Sequence, residues 1–73
     1  MTTNPSPRPG PSLSRREEMV LRLLADGRSY KQIAAELYLS LDTVRTYIRS
    51  TYRKLRVQSA TAAVSRALRE GFV

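Results

Sequence analysis

From Ser14 onward, apolar residues fall at intervals of three and four, and the strict alternation of a half-buried strand is missing. That spacing predicts helices with one buried face. The first begins at SRRE, where Ser14 can cap the helix and Glu17, three residues on, completes a capping box. It is expected to run to about Asp26, with Val20, Leu23 and Leu24 as its buried stripe, Leu13 and Met19 close by, and Gly27 ending it in the left-handed conformation. Ser29 and Gln32 repeat the box for a short second helix that turns Ile33, Ala34 and Leu37 inward. Ser40 is placed to cap a third helix reaching about Leu55, and a fourth is expected from after Ser59 to Gly71, with Ala60, Ala63, Val64, Ala67 and Leu68 as its apolar face.

The prediction is therefore all-α: a four-helix bundle. Helices two and three lie three or four residues apart, the spacing of a helix-turn-helix, and small Ala34 and Ala35 allow close approach at the crossing. Ahead of the bundle, residues 1–12 hold all four prolines and almost no apolar side chain. They read as a disordered tail or linker, which leaves residues 13–73 as the folded domain.

Composition narrows the chemistry. A 73-residue chain is one small domain at most, and such domains bury only about 60% of their unfolded surface. Without cysteine or histidine, neither a disulfide framework nor a structural zinc site is expected, and no metal or cofactor is implied. No apolar run approaches the roughly 18 residues that span a bilayer, and the N-terminus lacks the apolar core of a secretory leader, so the cytoplasm is the expected compartment. Asp42, Glu17 and Glu36 form no acid–base pair beside a nucleophile, and Gly10, Gly27 and Gly71 are too scattered to cradle a phosphate, so no enzyme is expected.

Thirteen basic against six acidic residues give a net charge of +7, which favours a polyanionic partner. Eleven of the thirteen are arginine. That preference alone decides little, because an arginine-biased genome would produce it too. Position decides more. Residues 40–58 hold five basic side chains and one acidic, a net of +4, whereas the charges of helix one cancel. On a helical wheel Leu41, Val44, Ile48, Tyr52 and Leu55 share an arc of roughly 80° as the core face. Asp42, Arg45, Thr46, Arg49 and Arg53 share an adjoining arc of roughly 100° that faces outward. A membrane-surface helix would need that apolar face for lipid, leaving so small a domain without a core.

Double-stranded DNA is the partner this pattern fits. In a helix-turn-helix the second helix enters the major groove. Arginine pairs with guanine O6 and N7, so Arg45 and Arg49 are candidate base readers. Thr46 can hydrogen-bond or meet a thymine methyl, and Asp42 can accept from cytosine N4 or orient Arg45. Arg53, Lys54 and Arg56 suit phosphates, as do Lys31 and Tyr30 at the start of helix two, where exposed amides attract anions. Tyr47, at the edge between the arcs, can pack inward and place its hydroxyl at a phosphate. Tyr38 reads as a packing residue.

These residues resemble the LuxR-type helix-turn-helix found in LuxR, FixJ, NarL and GerE-like regulators, over Leu13 to about Phe72. The resemblance rests on LSRREEMVLRLLADGRSYKQIAAELYLS, similar to the family's Leu-Thr-x-Arg-Glu opening, Gly, Ile-Ala and Leu-x-x-Ser, and on TVRTYIRSTYRKLRV, similar to Thr-Val-Lys-x-His and Lys-Leu-Gly-Val. It implies a domain that binds DNA as a dimer and regulates transcription, with RNA polymerase as a further partner. It places Arg45, Thr46 and Arg49 at base-contacting positions, and Thr43 and Lys31 at backbone-contacting ones. It also implies homodimer contacts through Val64 and Leu68 of the last helix, formed in solution or only on DNA. Three departures stand out: Tyr47 replaces the usual histidine, Arg56 stands where glycine commonly follows Lys-Leu, and QSATAA lacks the arginine many relatives carry before the last helix.

Two other readings stay open. A sigma-factor promoter-recognition region shares SYKQIA and TVR-like sequence, although the fourth helix argues against it. A protein-interaction module, such as an anti-activator pairing with a full-length regulator, would be favoured by loss of the charged face, which is intact.

Overall fold

The computed structural model describes residues 12–73, so the expected tail lies outside the described residues apart from Ser12, which is exposed and without regular structure. Four helices make up the fold: α1 (Arg15–Ala25), α2 (Tyr30–Leu37), α3 (Leu41–Leu55) and α4 (Ala60–Glu70). No strand occurs among the described residues. Ser14, Ser29, Ser40 and Ser59 cap the four N-termini, each hydroxyl accepting from the N–H three residues on. Both expected capping boxes are present, with Glu17 and Gln32 reaching back to the N–H groups of Ser14 and Ser29 at 2.8 Å. Such caps are each worth about 1 kcal/mol. The turn between α2 and α3 is Tyr38-Leu39-Ser40.

Four left-handed residues shape the helix ends. Gly27 (φ +90°) and Gly71 (φ +82°) are the expected glycines, but Tyr38 and Arg56 adopt the same region, each at φ +57°. Arg56, standing where relatives commonly carry glycine, takes the left-handed conformation itself instead of moving the helix end. The helix ends as it would with glycine, at a cost of about 1 kcal/mol. Tyr38 does not pack as expected; as the cap of α2 it stands 94% exposed.

The core is two clusters with α1 between them. Val20, Ile33, Ala34, Val44 and Ile48 form one beneath the helix-turn-helix; Leu21, Leu55, Ala63, Ala67 and Phe72 form the other beneath α4. Leu24 and Tyr52 touch both. Burying each large aliphatic is worth about 1.5–3 kcal/mol. Helix α1 thus buries two faces rather than one. Leu21 and Glu17 are inside, Leu23 and Leu24 are half-buried, and Met19 is exposed. Within α3, Val44, Ile48 and Leu55 are buried as the wheel requires, while Leu41 and Tyr52 are only half-buried. Thr51 joins them, its hydroxyl satisfied by the Tyr47 carbonyl at 2.7 Å. Ala34 alone provides the close approach, since Ala35 is exposed. In α4 the buried face is narrower than expected: Ala63 and Ala67 are enclosed, Val64 is half-buried, and Ala60 and Leu68 are exposed.

Candidate nucleic-acid interface

Helix α3 carries its charges where the core cannot reach them. Asp42, Arg45, Thr46, Arg49 and Arg53 are all exposed, because Val44, Ile48, Thr51 and Leu55 on the adjoining arc turn inward. Asp42 lies 3.8 Å from the Arg45 guanidinium one turn on, close enough to bias its direction while both stay in solvent. The Thr46 hydroxyl donates to the Asp42 carbonyl at 3.0 Å. Its proton is therefore spent on the helix, which leaves a methyl group and oxygen lone pairs facing outward.

At the start of α3, Ser40 donates to the Thr43 hydroxyl at 2.9 Å while accepting from the Thr43 N–H at 3.1 Å. Thr43 is thus held as an acceptor, with its own O–H left to donate outward. Lys31 is exposed at the first turn of α2, and Arg56 is exposed at the left-handed end of α3. Tyr47 and Tyr30 are half-buried against the first core cluster. Tyr30 also meets Tyr52: burial first, then the hydrogen bond to Tyr30, pushes the Tyr52 hydroxyl up to about 12, so it stays protonated. These two tyrosines, with Arg45, Ile48 and Arg49, line an open hollow of about 300 Å³ between α2 and α3.

Lys54 differs from its basic neighbours. Its ammonium donates to Glu17 Oε1 at 2.8 Å, and the Ser50 hydroxyl donates to Glu17 Oε2 at 2.5 Å. Glu17 is only 4% exposed. Burial would raise its pKa, but the hydrogen bonds from Lys54, Ser50 and the Ser14 N–H, with the charge of Lys54, outweigh that and hold it at about 2 against an ordinary 4.5. The sequence places Glu17 in a capping box and among charges that cancel along helix one, and it gives Ser50 no role. One local signal was available: Glu17, Val20, Leu21 and Leu24 stand at i, i+3, i+4 and i+7, so the carboxylate lies on an apolar stripe and requires a buried partner.

Val64 and Leu68 lie apart from this surface. With Leu24, Ala60, Thr61 and Ser65 they line an open, largely apolar groove of about 430 Å³ on α4, where Leu68 is 63% exposed. No helix among the described residues is long and apolar enough to cross a membrane. Among the same residues no group of three acidic, histidine or cysteine side chains could hold a metal ion.

Residues 11–67 match the family described as "GerE: Bacterial regulatory proteins, luxR family". The chain is 47% identical over 60 residues to "Probable transcriptional regulatory protein NarL" of Mycobacterium tuberculosis, covering 82% of this chain but 28% of that protein. It is 41% identical over 61 residues to "Spore germination protein GerE" of Bacillus subtilis, covering 84% of this chain and 82% of the relative. The solved structure of the transcription factor GerE superposes with a TM-score of 0.78 at 37% identity, over 82% of this chain and 90% of that one. A Vibrio cholera VqmA–ligand–DNA complex superposes with a TM-score of 0.79 at 30% identity, over 97% of this chain and 31% of that one.

Proposed function

Because the chain belongs to the luxR family of bacterial regulatory proteins, we propose that residues 13–73 form a sequence-specific DNA-binding domain of a transcription regulator, with α3 inserted in the major groove. One observation carries the reading: five polar and charged side chains stand exposed together along α3 while its apolar face is consumed by the core. Arg45 and Arg49 read guanine edges, Thr46 meets a thymine methyl or accepts from a base amine, and Asp42 steers Arg45 or accepts from cytosine. Thr43, Lys31, Arg53 and Arg56 hold phosphates, with Tyr30 and Tyr47 completing the seat from the half-buried side. Lys54 reaches the interface only through Glu17. The likeness to VqmA, solved in a complex that contains DNA, supports DNA as the partner.

The apolar groove on α4 favours a dimer. Leu68, exposed beside Val64 and Ala60, gains most from a second copy of the same strip, and paired domains read paired half-sites. RNA polymerase is a further proposed partner. The domain acts in the cytoplasm, without cofactor and without catalysis. Selection of binding sites from a random duplex pool at near-physiological salt tests the reading. A symmetric or tandem motif, bound at least about a thousandfold tighter than scrambled duplex, is the expected result. No enrichment, with affinity set only by salt, would instead leave a basic module whose target is another protein or non-specific nucleic acid.

A further inference from the structure

Behind the recognition surface, Glu17 grips α3 at two points one turn apart, Ser50 at 2.5 Å and Lys54 at 2.8 Å, while the Ser14 N–H anchors the same carboxylate at 2.8 Å. Two contacts on one rigid group fix both the rotation of a helix and its position along its axis; a single contact would leave a pivot. Arg49 and Arg53 immediately precede the gripped residues, so the basic stripe lies about 100° around the same two turns. At the roughly 5–6 Å outer radius of a helix, a rotation of about 10° moves a side-chain tip by about 1 Å, enough to spoil a two-toothed hydrogen bond to guanine. Apolar residues would fill a buried ion-pair site as stably or more so, and the best-attested reason to keep such groups is register.

The pair has a second effect. Lys54 belongs to the basic excess of α3, yet its charge is turned toward α1. Its absence from the phosphate-facing set lowers affinity for every sequence equally.

Resting on the DNA-binding reading above, we infer that Glu17 is a positioning residue for specificity: it sets the register of α3 and withholds Lys54 from DNA, trading sequence-independent affinity for discrimination. The test uses the site selected by the wild-type chain and a scrambled duplex, with affinities measured across salt concentrations. Glu17→Gln, Ser50→Ala and Gly27→Ala are compared at a temperature where circular dichroism shows each one folded. Gly27→Ala serves as the stability control, because its φ of +90° strains any side chain while nothing lies within 4 Å of the added methyl. Glu17→Gln is expected to lower the ratio of specific to non-specific affinity at least tenfold. Its non-specific affinity should rise, with a salt slope steeper by about 0.9 as Lys54 gains a phosphate. Ser50→Ala, which loosens one grip and keeps the ion pair, should lower the ratio about threefold with the slope unchanged; Gly27→Ala should leave it alone. A folded Glu17→Gln whose ratio stays within twofold of wild type overturns the inference. If that variant does not fold, an unchanged ratio in Ser50→Ala overturns it. Failure of the wild-type chain to select any site would instead strike at the DNA-binding reading itself.

Discussion

Helices α3 and α4 both give one face to the core, and they differ in what they leave outside. On α3 the exposed surface is an arc of charge and hydroxyl groups; on α4 it is an apolar strip ending in Leu68. Solvation permits the first, since charged side chains cost little at a surface, but it gives no reason for three arginines to gather on one arc beside a single acid. It does not favour the second, where Leu68, 63% exposed beside half-buried Val64, leaves apolar surface in water. The two surfaces differ in kind: a polyanion would complement the arc, and a second apolar strip would complement α4.

The largest expected effect removes both surfaces together. Glu17 has its pKa lowered to about 2 from 4.5, so its contribution is fully present above pH 4.5 and is lost as pH falls toward 2. The shift corresponds to stability on the order of 3 kcal/mol. Chemical denaturation at stepped pH should show that loss, and Glu17→Gln should flatten the same window. Next, Leu68→Glu separates the surfaces. It should weaken binding to a duplex with two half-sites by about a hundredfold, through lost avidity, while a single half-site is bound as before; equal loss on both duplexes would tie the strip to folding. Smaller in range, Arg45→Ala or Arg49→Ala should each cost about 1–3 kcal/mol on the selected site and leave scrambled duplex mostly unaffected. Uniform loss on every sequence would move that arginine from base to phosphate. Smallest, Arg56→Gly should relieve φ +57° and stabilise the fold by about 1 kcal/mol. It should also reduce the salt slope by about 0.9, a split visible by comparing melting with titration.

Helix boundaries were legible because their signals are local. A serine with Glu or Gln three residues on lies within one turn, and no distant contact is needed to read it. The outward arc of α3 was legible for a similar reason, as the wheel of one helix determines it. Helix α1 resisted because it is enclosed from two sides: a single-stripe reading assigns Val20 and has no place for Leu21, which belongs to the second cluster. Glu17 resisted because its partners Ser50 and Lys54 lie 33 and 37 residues away. Taking Glu17 and Lys54 as free charges made α1 look neutral and α3 one charge richer than its outward surface is. The exposure of Tyr38 follows from the left-handed cap, whose backbone geometry no hydrophobic pattern encodes.

Serine caps at 14, 29, 40 and 59 have a consequence in time. Each helix carries its own starting instruction within four residues, so little chain must be searched before local structure forms, and the short connections bring successive helices together with small loop-closure entropy. Small helical domains, with their many contacts inside each helix, fold in microseconds to milliseconds. A fluctuation that opened this thin core would then be reversed before most proteases or aggregating neighbours could exploit it. Rapid recovery can thus protect in the cell a fold that size alone would leave vulnerable.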